Sequence, residues 1–327
     1  MRRRLVAQLA TATAAVTAGV LVGAAPASAD LVTYCIGTGG AVTVPNDLYV
    51  PPNESCALTG TTITGNVSVA AGANLVVTGG HVSGNVQVAA NGYLDAGNSD
   101  IGGTVVVASG GYGVFLKSAR TGTITVRAKG ASTVDSFLFV EGSTITGAVN
   151  ASAGEVRLDQ NTQVTGAVNS SGTYYTDVHD SFVDGQLSVL NSATGSVVCG
   201  SAVRGKATFA GNLGGVQLGP NGALDGCASG GYFGRDVSIT NTQGGVTVDD
   251  NIIDGVLTVQ TNNPAAVVAS NNRIRGGVVG DSTATAAASK KAAKSVTADR
   301  SGSRDARASE RRTDAVAEAT AAGAANL

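Results

Sequence analysis

Small apolar residues recur along most of this chain with a period close to 19. Ile63, Val82, Ile101, Ile145, Val164, Val183, Val203, Phe233, Ile253 and Ile274 each precede by four positions a second apolar residue: Val67, Val86, Val105, Val149, Val168, Leu187, Ala207, Val237, Leu257 or Val278. Midway between the two stands a glycine, at 65, 84, 103, 122, 147, 166, 185, 205, 255 and 276, with Arg235 in that place once and Arg120 in the leading place before Ile124 once. The intervals between register positions are 19, 19, 19, 25, 19, 19, 20, 30, 20 and 21. Residues between the two columns are Thr, Ser, Asn, Gln or charged, which is the period-two alternation of a half-buried strand. A second strand follows about ten residues later, at Leu75, Leu94, Val114, Val156, Val216 and Val246.

Nineteen residues at about 3.3 Å each give a perimeter near 60 Å. That suffices for about three short strands and their corners, and is too short for a βαβ unit. The predicted fold is therefore all-β: a parallel β-helix (β-solenoid) of about 11 coils of about 19 residues over 57–280, expected to be right-handed. Stacked at about 4.8 Å, the coils make a rod of roughly 50 Å around one aliphatic column. Four residues before the register position the chain reads Thr61, Gly80, Ser99, Ser118, Ser143, Thr162, Ser181, Ser201, Gly231, Asn251 and Asn272. Small polar residues there predict a corner ladder, in which side chains hydrogen-bond backbone groups of the turn or of the next coil.

Two long intervals interrupt the repeat. The 25-residue one contains Phe137-Leu138-Phe139-Val140, an apolar run expected to pad the core or form a side ridge. The 30-residue one inserts a glycine-rich loop over 219–231. At the chain's start, Arg2, Arg3 and Arg4, a mostly apolar run from Leu5 to Ala25, and Ala27-Ser28-Ala29 read as a cleavable signal peptide over 1–29. Residues 30–56 are expected to be an N-terminal cap, and 281–327, rich in Ala, Ser and charge, a flexible or intermittently helical tail.

Composition agrees with many short strands: 46 Gly, no Trp and one Met. The body from 30 to 280 holds 10 Lys/Arg and 17 Asp/Glu, net −7, so it lacks the basic footprint of a nucleic-acid binder. No membrane contact is expected once the signal is removed. Export places the cysteines where disulfides persist. Cys35 and Cys56 are 21 apart and Cys199 and Cys227 are 28 apart, each near one repeat, so those two pairs are expected on adjacent coils. Neither pair has CxxC spacing and only two His exist, so no metal site and no cofactor are expected.

The coils Ile63-Thr64-Gly65-Asn66-Val67-Ser68-Val69 and Val82-Ser83-Gly84-Asn85-Val86-Gln87-Val88 resemble those of secreted right-handed parallel β-helix proteins of actinobacteria, over 57–280. They are similar also to bactofilins, polymer-forming bacterial β-helices that act on the cytoplasmic side without a cleaved signal. Polygalacturonases share the fold class and carry Asn-Thr-Asp, Asp-Asp, Gly-His-Gly and Arg-Ile-Lys in order. Here Asn241-Thr242-Gln243 lacks the acid, Asp249-Asp250 and Arg273-Ile274-Arg275 look similar, and His81 and His179 lie upstream in other surroundings. Nor does any proline follow an arginine as in the lyase Arg-x-Pro motif. No catalytic residue is assigned.

One place before the register, Asp184, Arg204, Gly234, Asp254 and Arg275 alternate in sign, and one place after it Lys206 is followed by Asp236, which predicts charge ladders between coils. Asp249, Asp250, Asp254, Arg273 and Arg275 form the candidate binding set, and Asp177, His179, Asp180 and Asp184 a second polar group expected to be solvated. Thr121, Thr123 and Thr125 make a water-ordering TxTxT row, interrupted in the same columns by Val106, Ala148, Ala167, Asp184, Arg204 and Lys206. The functional expectation is an exported, non-catalytic structural or surface-interaction solenoid whose uncharged Thr/Ser/Asn faces contact cell-wall or extracellular polysaccharide, or a cell-surface protein. It would be secreted or loosely wall-associated, since the tail shows no sortase-type Leu-Pro motif. The alternative is a carbohydrate-active β-helix enzyme, a polysaccharide lyase or hydrolase.

Overall fold

A computed structural model describes residues 31–285 and 298–327, so the expected signal peptide lies outside the described residues. Among those residues three parallel sheets run the length of a solenoid. Sheet A has 13 strands, from Val32–Tyr34 to Val278–Gly280, and sheet B has 13, from Gly37–Gly39 to Ser282–Thr285. Sheet C has 12 short strands, from Thr43–Val44 to Arg273–Ile274. Each strand pairs with its equivalent one coil away, as in Val67↔Val86, Val86↔Val105 and Val149↔Val168. From 67 to 257 the inward sheet A column is buried throughout, whereas Val278 at the last coil is half exposed. Within the stretch expected as an N-terminal cap, 30–56, the strands pair in parallel with the next coil.

The register glycines are explained by close stacking. Seven of the ten amides donate to the glycine carbonyl one coil below, as in Gly84 to Gly65 and Gly103 to Gly84, both at 3.1 Å. A Cβ on Gly84 or Gly103 would meet that carbonyl oxygen at 2.5 Å, well inside contact distance. The corner ladder also forms: Gly80 N–H donates to Ser99 Oγ (3.2 Å), Ser181 N–H to Ser201 Oγ (3.0 Å) and Asn251 N–H to Asn272 Oδ1 (2.9 Å). Polar side chains can be buried there because they satisfy backbone groups that the turns leave open.

One register assignment is corrected. The step between coils is 19 at Val88↔Val107, 20 at Tyr93↔Gly113 and Ile101↔Thr121, and 19 again at Val105↔Ile124. An extra residue before Gly113 therefore places Thr121 in the inward column and turns Arg120 outward. Burying an unpaired guanidinium would cost several kcal/mol, and a threonine whose hydroxyl reaches the Gly103 carbonyl does not incur that cost. The same shift removes Thr121, buried, from the expected threonine row. Phe137–Glu141 divides its side chains: Leu138 and Val140 join the core, and Phe137 and Phe139 form a ridge outside sheet B with Tyr93.

The expected tail contains a 25-residue helix, α1 (Ala298–Ala322), which lies along sheet B. Ala308, Ala315 and Ala319 form its buried stripe, and their small size lets the backbone approach closely. Arg311 packs over the Tyr112 ring, and Glu318 accepts from Ser55 Oγ at 2.6 Å. Beyond the helix, Ala324 bridges in parallel to Thr38 and Leu327 packs on the core, so the chain's own C-terminal residues cover part of the sheet edge left open at the first coil. Both disulfides join the expected partners, Cys35 to Cys56 and Cys199 to Cys227.

Candidate functional site

The outward positions of sheets A and B carry different chemistry. In sheet A one row runs Tyr49, Ser68, Gln87, Val106, Thr125, Asn150, Asn169, Ser188, Thr208, Ser238, Thr258 and Val279 in paired register. None is charged and none is buried. Near the first coils an open groove of ≈ 390 Å³ lies along this row, lined among others by Tyr49, Ser68, Gln87 and Arg127. Asn169 Nδ2 donates to Asn150 Oδ1 at 2.9 Å, so neighbouring amides are aligned along the rod.

Sheet B is covered. Beneath α1 its outward row includes Asp95, Phe139 and Arg157, all buried. Asp95 pairs with Arg312 and accepts from the Tyr93 hydroxyl at 2.9 Å, and burial, against the pull of Arg312, raises its carboxyl above the ordinary carboxylate range. Arg157 reaches Glu141 at 3.0 Å and Asp305 of the helix at 2.6 Å, with its guanidinium 4.4 Å from the Phe139 ring centre. Farther along, the loop 219–231 folds back over sheet B and brings Asp225 Oδ2 to 2.9 Å from His179 Nε2. Burial pushes the Asp177 carboxyl up to about 7, against the opposing charge of His179. Burial alone would lower the His179 imidazole, but its bond to Asp225 and the charges of Asp177, Asp225 and Asp159 raise it to about 9.

The expected binding set is only partly assembled. Arg275 Nη1 meets Asp254 Oδ1 at 2.8 Å, and Arg204 Nη1 meets Asp184 Oδ1 at 2.9 Å, as the alternating charges predict. Asp254 also accepts from the Tyr232 hydroxyl at 2.7 Å. Asp249 follows inward Val248 in the outward column of His179 and Cys199 and is buried beneath the 219–231 loop, where its Oδ2 accepts from Asn221 Nδ2 at 2.6 Å. Asp250 sits exposed on a corner with φ +57°, and Arg273 is exposed on the short strand Arg273–Ile274. These five residues do not converge on one point. Asp236 accepts from the Val256 amide at 2.9 Å, and it forms no ion pair with Lys206 among the described residues. In the second polar group Asp184 leaves for Arg204, while Asp225, 46 residues from His179, takes its place. Sequence spacing missed Asp225 because only the loop's return path brings it near; the long interval and Cys227 were the available signal.

No protein-family model, curated protein or solved structure matches the chain.

Proposed function

We propose that this protein is an exported, non-catalytic rod of the secreted β-helix type that lies along an extended polysaccharide through the outer face of sheet A. The observation that carries the reading is the uncharged row from Tyr49 to Val279. It repeats hydroxyls and amides at the strand spacing of about 4.8 Å, a match in kind to a polymer that repeats hydroxyls along its length. The groove lined by Tyr49 and Arg127 adds an aromatic face and a cationic donor at one end, the groups that orient a polar ligand in an open cleft.

Two disulfides are consistent with an oxidising compartment, and none of the described helices is long and apolar enough to cross a membrane. Self-capping by α1 and the loop leaves sheets A and C open, and of these only sheet A has an uncharged outward row, since the exposed outward positions of sheet C include His81, Arg120, Phe182, Ile252 and Arg273. The test is a panel of insoluble cell-wall and extracellular polysaccharides incubated with the disulfide-intact protein. Retention on at least one polymer without new reducing or unsaturated ends is the expected result. Release of such ends would favour the carbohydrate-active enzyme instead, and no retention on any polymer would reject polysaccharide contact.

A further inference from the structure

Asp177 and His179 are two residues apart on the strand Tyr175–His179, so both project from the outside of sheet B. Asp225 is placed beside them by two independent restraints. Its backbone N–H donates to Gln217 Oε1 at 3.0 Å and its carbonyl accepts from Gln217 Nε2 at 2.9 Å, with Gln217 itself buried on the strand Gly215–Leu218. Two residues on, Cys227 is covalently tied to Cys199 on the strand that pairs with Tyr175–His179. As a result one donor atom each from Asp177, His179 and Asp225 lies within 4.8 Å of the others.

We propose that Asp177, His179 and Asp225 form a binding site for a divalent transition-metal ion of the zinc class, which ties the inserted loop to the rod. Asp177 Oδ1 is fully buried and has no hydrogen-bond partner among the described residues, a state that costs free energy unless a cation or donor satisfies it. Asp159 and Asp180 add carboxylates around the same imidazole. The guanidinium of Arg157, one coil away in register with Asp177, already pairs with Glu141 and Asp305.

The donor set decides the ion. One imidazole nitrogen with carboxylate oxygens suits zinc and its neighbours, whereas calcium and magnesium take oxygen ligands. Ligands at about 2.0–2.2 Å from a tetrahedral zinc stand roughly 3.3–3.6 Å apart, so the 2.9 Å pair of His179 Nε2 and Asp225 Oδ2 opens by about half an ångström to admit it. Nδ1 of the same ring lies 3.9 Å from Asp180 Oδ2, an ion-pair distance and longer than a hydrogen bond. His179 and Asp225 side chains keep 25% and 21% of their surface exposed, which leaves an open side for entry and for water.

The test is calorimetric titration of the chelator-treated, disulfide-intact full chain with Zn²⁺, with the visible spectrum of Co²⁺ as a second readout. One equivalent of Zn²⁺ should bind, and Ca²⁺ at the same concentration should not. Asp177→Asn, His179→Gln and Asp225→Asn should each weaken binding by about tenfold or more, while Asp254→Ala leaves it unchanged. Asp225 lies on the inserted loop rather than on a sheet strand, so its variant reports on the site even if a strand variant misfolds. Absence of Zn²⁺ binding, or wild-type affinity in Asp225→Asn, overturns the proposal.

Discussion

Sheets A and B share one aliphatic core, yet their outer faces were filled by opposite rules. Sheet A repeats small uncharged groups from coil to coil and needs no partner. Sheet B concentrates Tyr93, Phe137, Phe139, Asp95, Arg157, Asp177 and His179, and nearly all of these are covered by α1 or by the 219–231 loop. A solenoid's repeat specifies its inside once per coil, whereas each exception on its outside needs a partner from elsewhere in the chain. The comparison therefore separates residues that hold the rod together, residues that hold the covers on, and residues left free to make contacts.

The largest effect should come from the shared core. Val149→Asp or Val168→Asp places a carboxylate in a column with no measurable exposure and should cost more than about 4 kcal/mol, since in a nearest-neighbour stack it weakens two interfaces. A thermal melt checks this, and a wild-type melt for Val149→Asp would mean the register is wrong.

Next comes the loop cover. Replacing Cys199 and Cys227 together by Ser should lower stability by roughly 3 to 4 kcal/mol, through a 28-residue closure in the unfolded chain. Denaturant titration under oxidising conditions measures it, and limited proteolysis should then cut between 219 and 231. The helical cover is weaker. Arg312→Ala strands the buried Asp95 carboxylate and should cost about 2 kcal/mol, a value reduced by the partial exposure of Arg312.

Asp95 also gives this cover a pH signature. Its folded pKa lies above its unfolded value, so its contribution is fully present below the ordinary carboxylate range and is lost as pH rises through the folded pKa. Melts of wild type against Asp95→Asn from pH 4 to pH 8 should show wild type losing ground as pH increases. A gap that stays constant with pH would remove Asp95 as the cause. At the small end, Asp254→Ala deletes one member of a solvent-facing pair with the half-exposed Arg275 and should change stability by at most about 1 kcal/mol.

The same division explains what could be read from the sequence. The columns through Val67 and Ile63, the corner ladder at Ser99 and Ser201, the two disulfides and the Asp254–Arg275 pair all follow from a period, and a period is visible without knowing the fold. Arg120 was misplaced because one residue was added and then removed within a single coil, which leaves the glycine interval at 19. The first coil escaped because Asn46 and Asp47 stand where the other coils carry the glycine pattern, although Val44 and Leu48 keep the spacing. The docked α1 escaped because its buried stripe is alanine, which gives little hydrophobic periodicity, and its charges find partners more than 200 residues away. His179 and Asp225 could not be joined from spacing alone.

The central claim is that sheet A, not sheet B, is the contacting face. Its most direct test is cosedimentation with an insoluble polysaccharide that retains the wild-type protein, using the double variant Thr125→Glu, Asn169→Glu on the open row and Arg312→Ala under the helix. The charged row should lose retention by at least about tenfold while keeping its melting temperature within the small range of surface substitutions, and Arg312→Ala should melt earlier yet bind as wild type. Undiminished retention in the double variant, or loss of retention only in Arg312→Ala, would contradict the account.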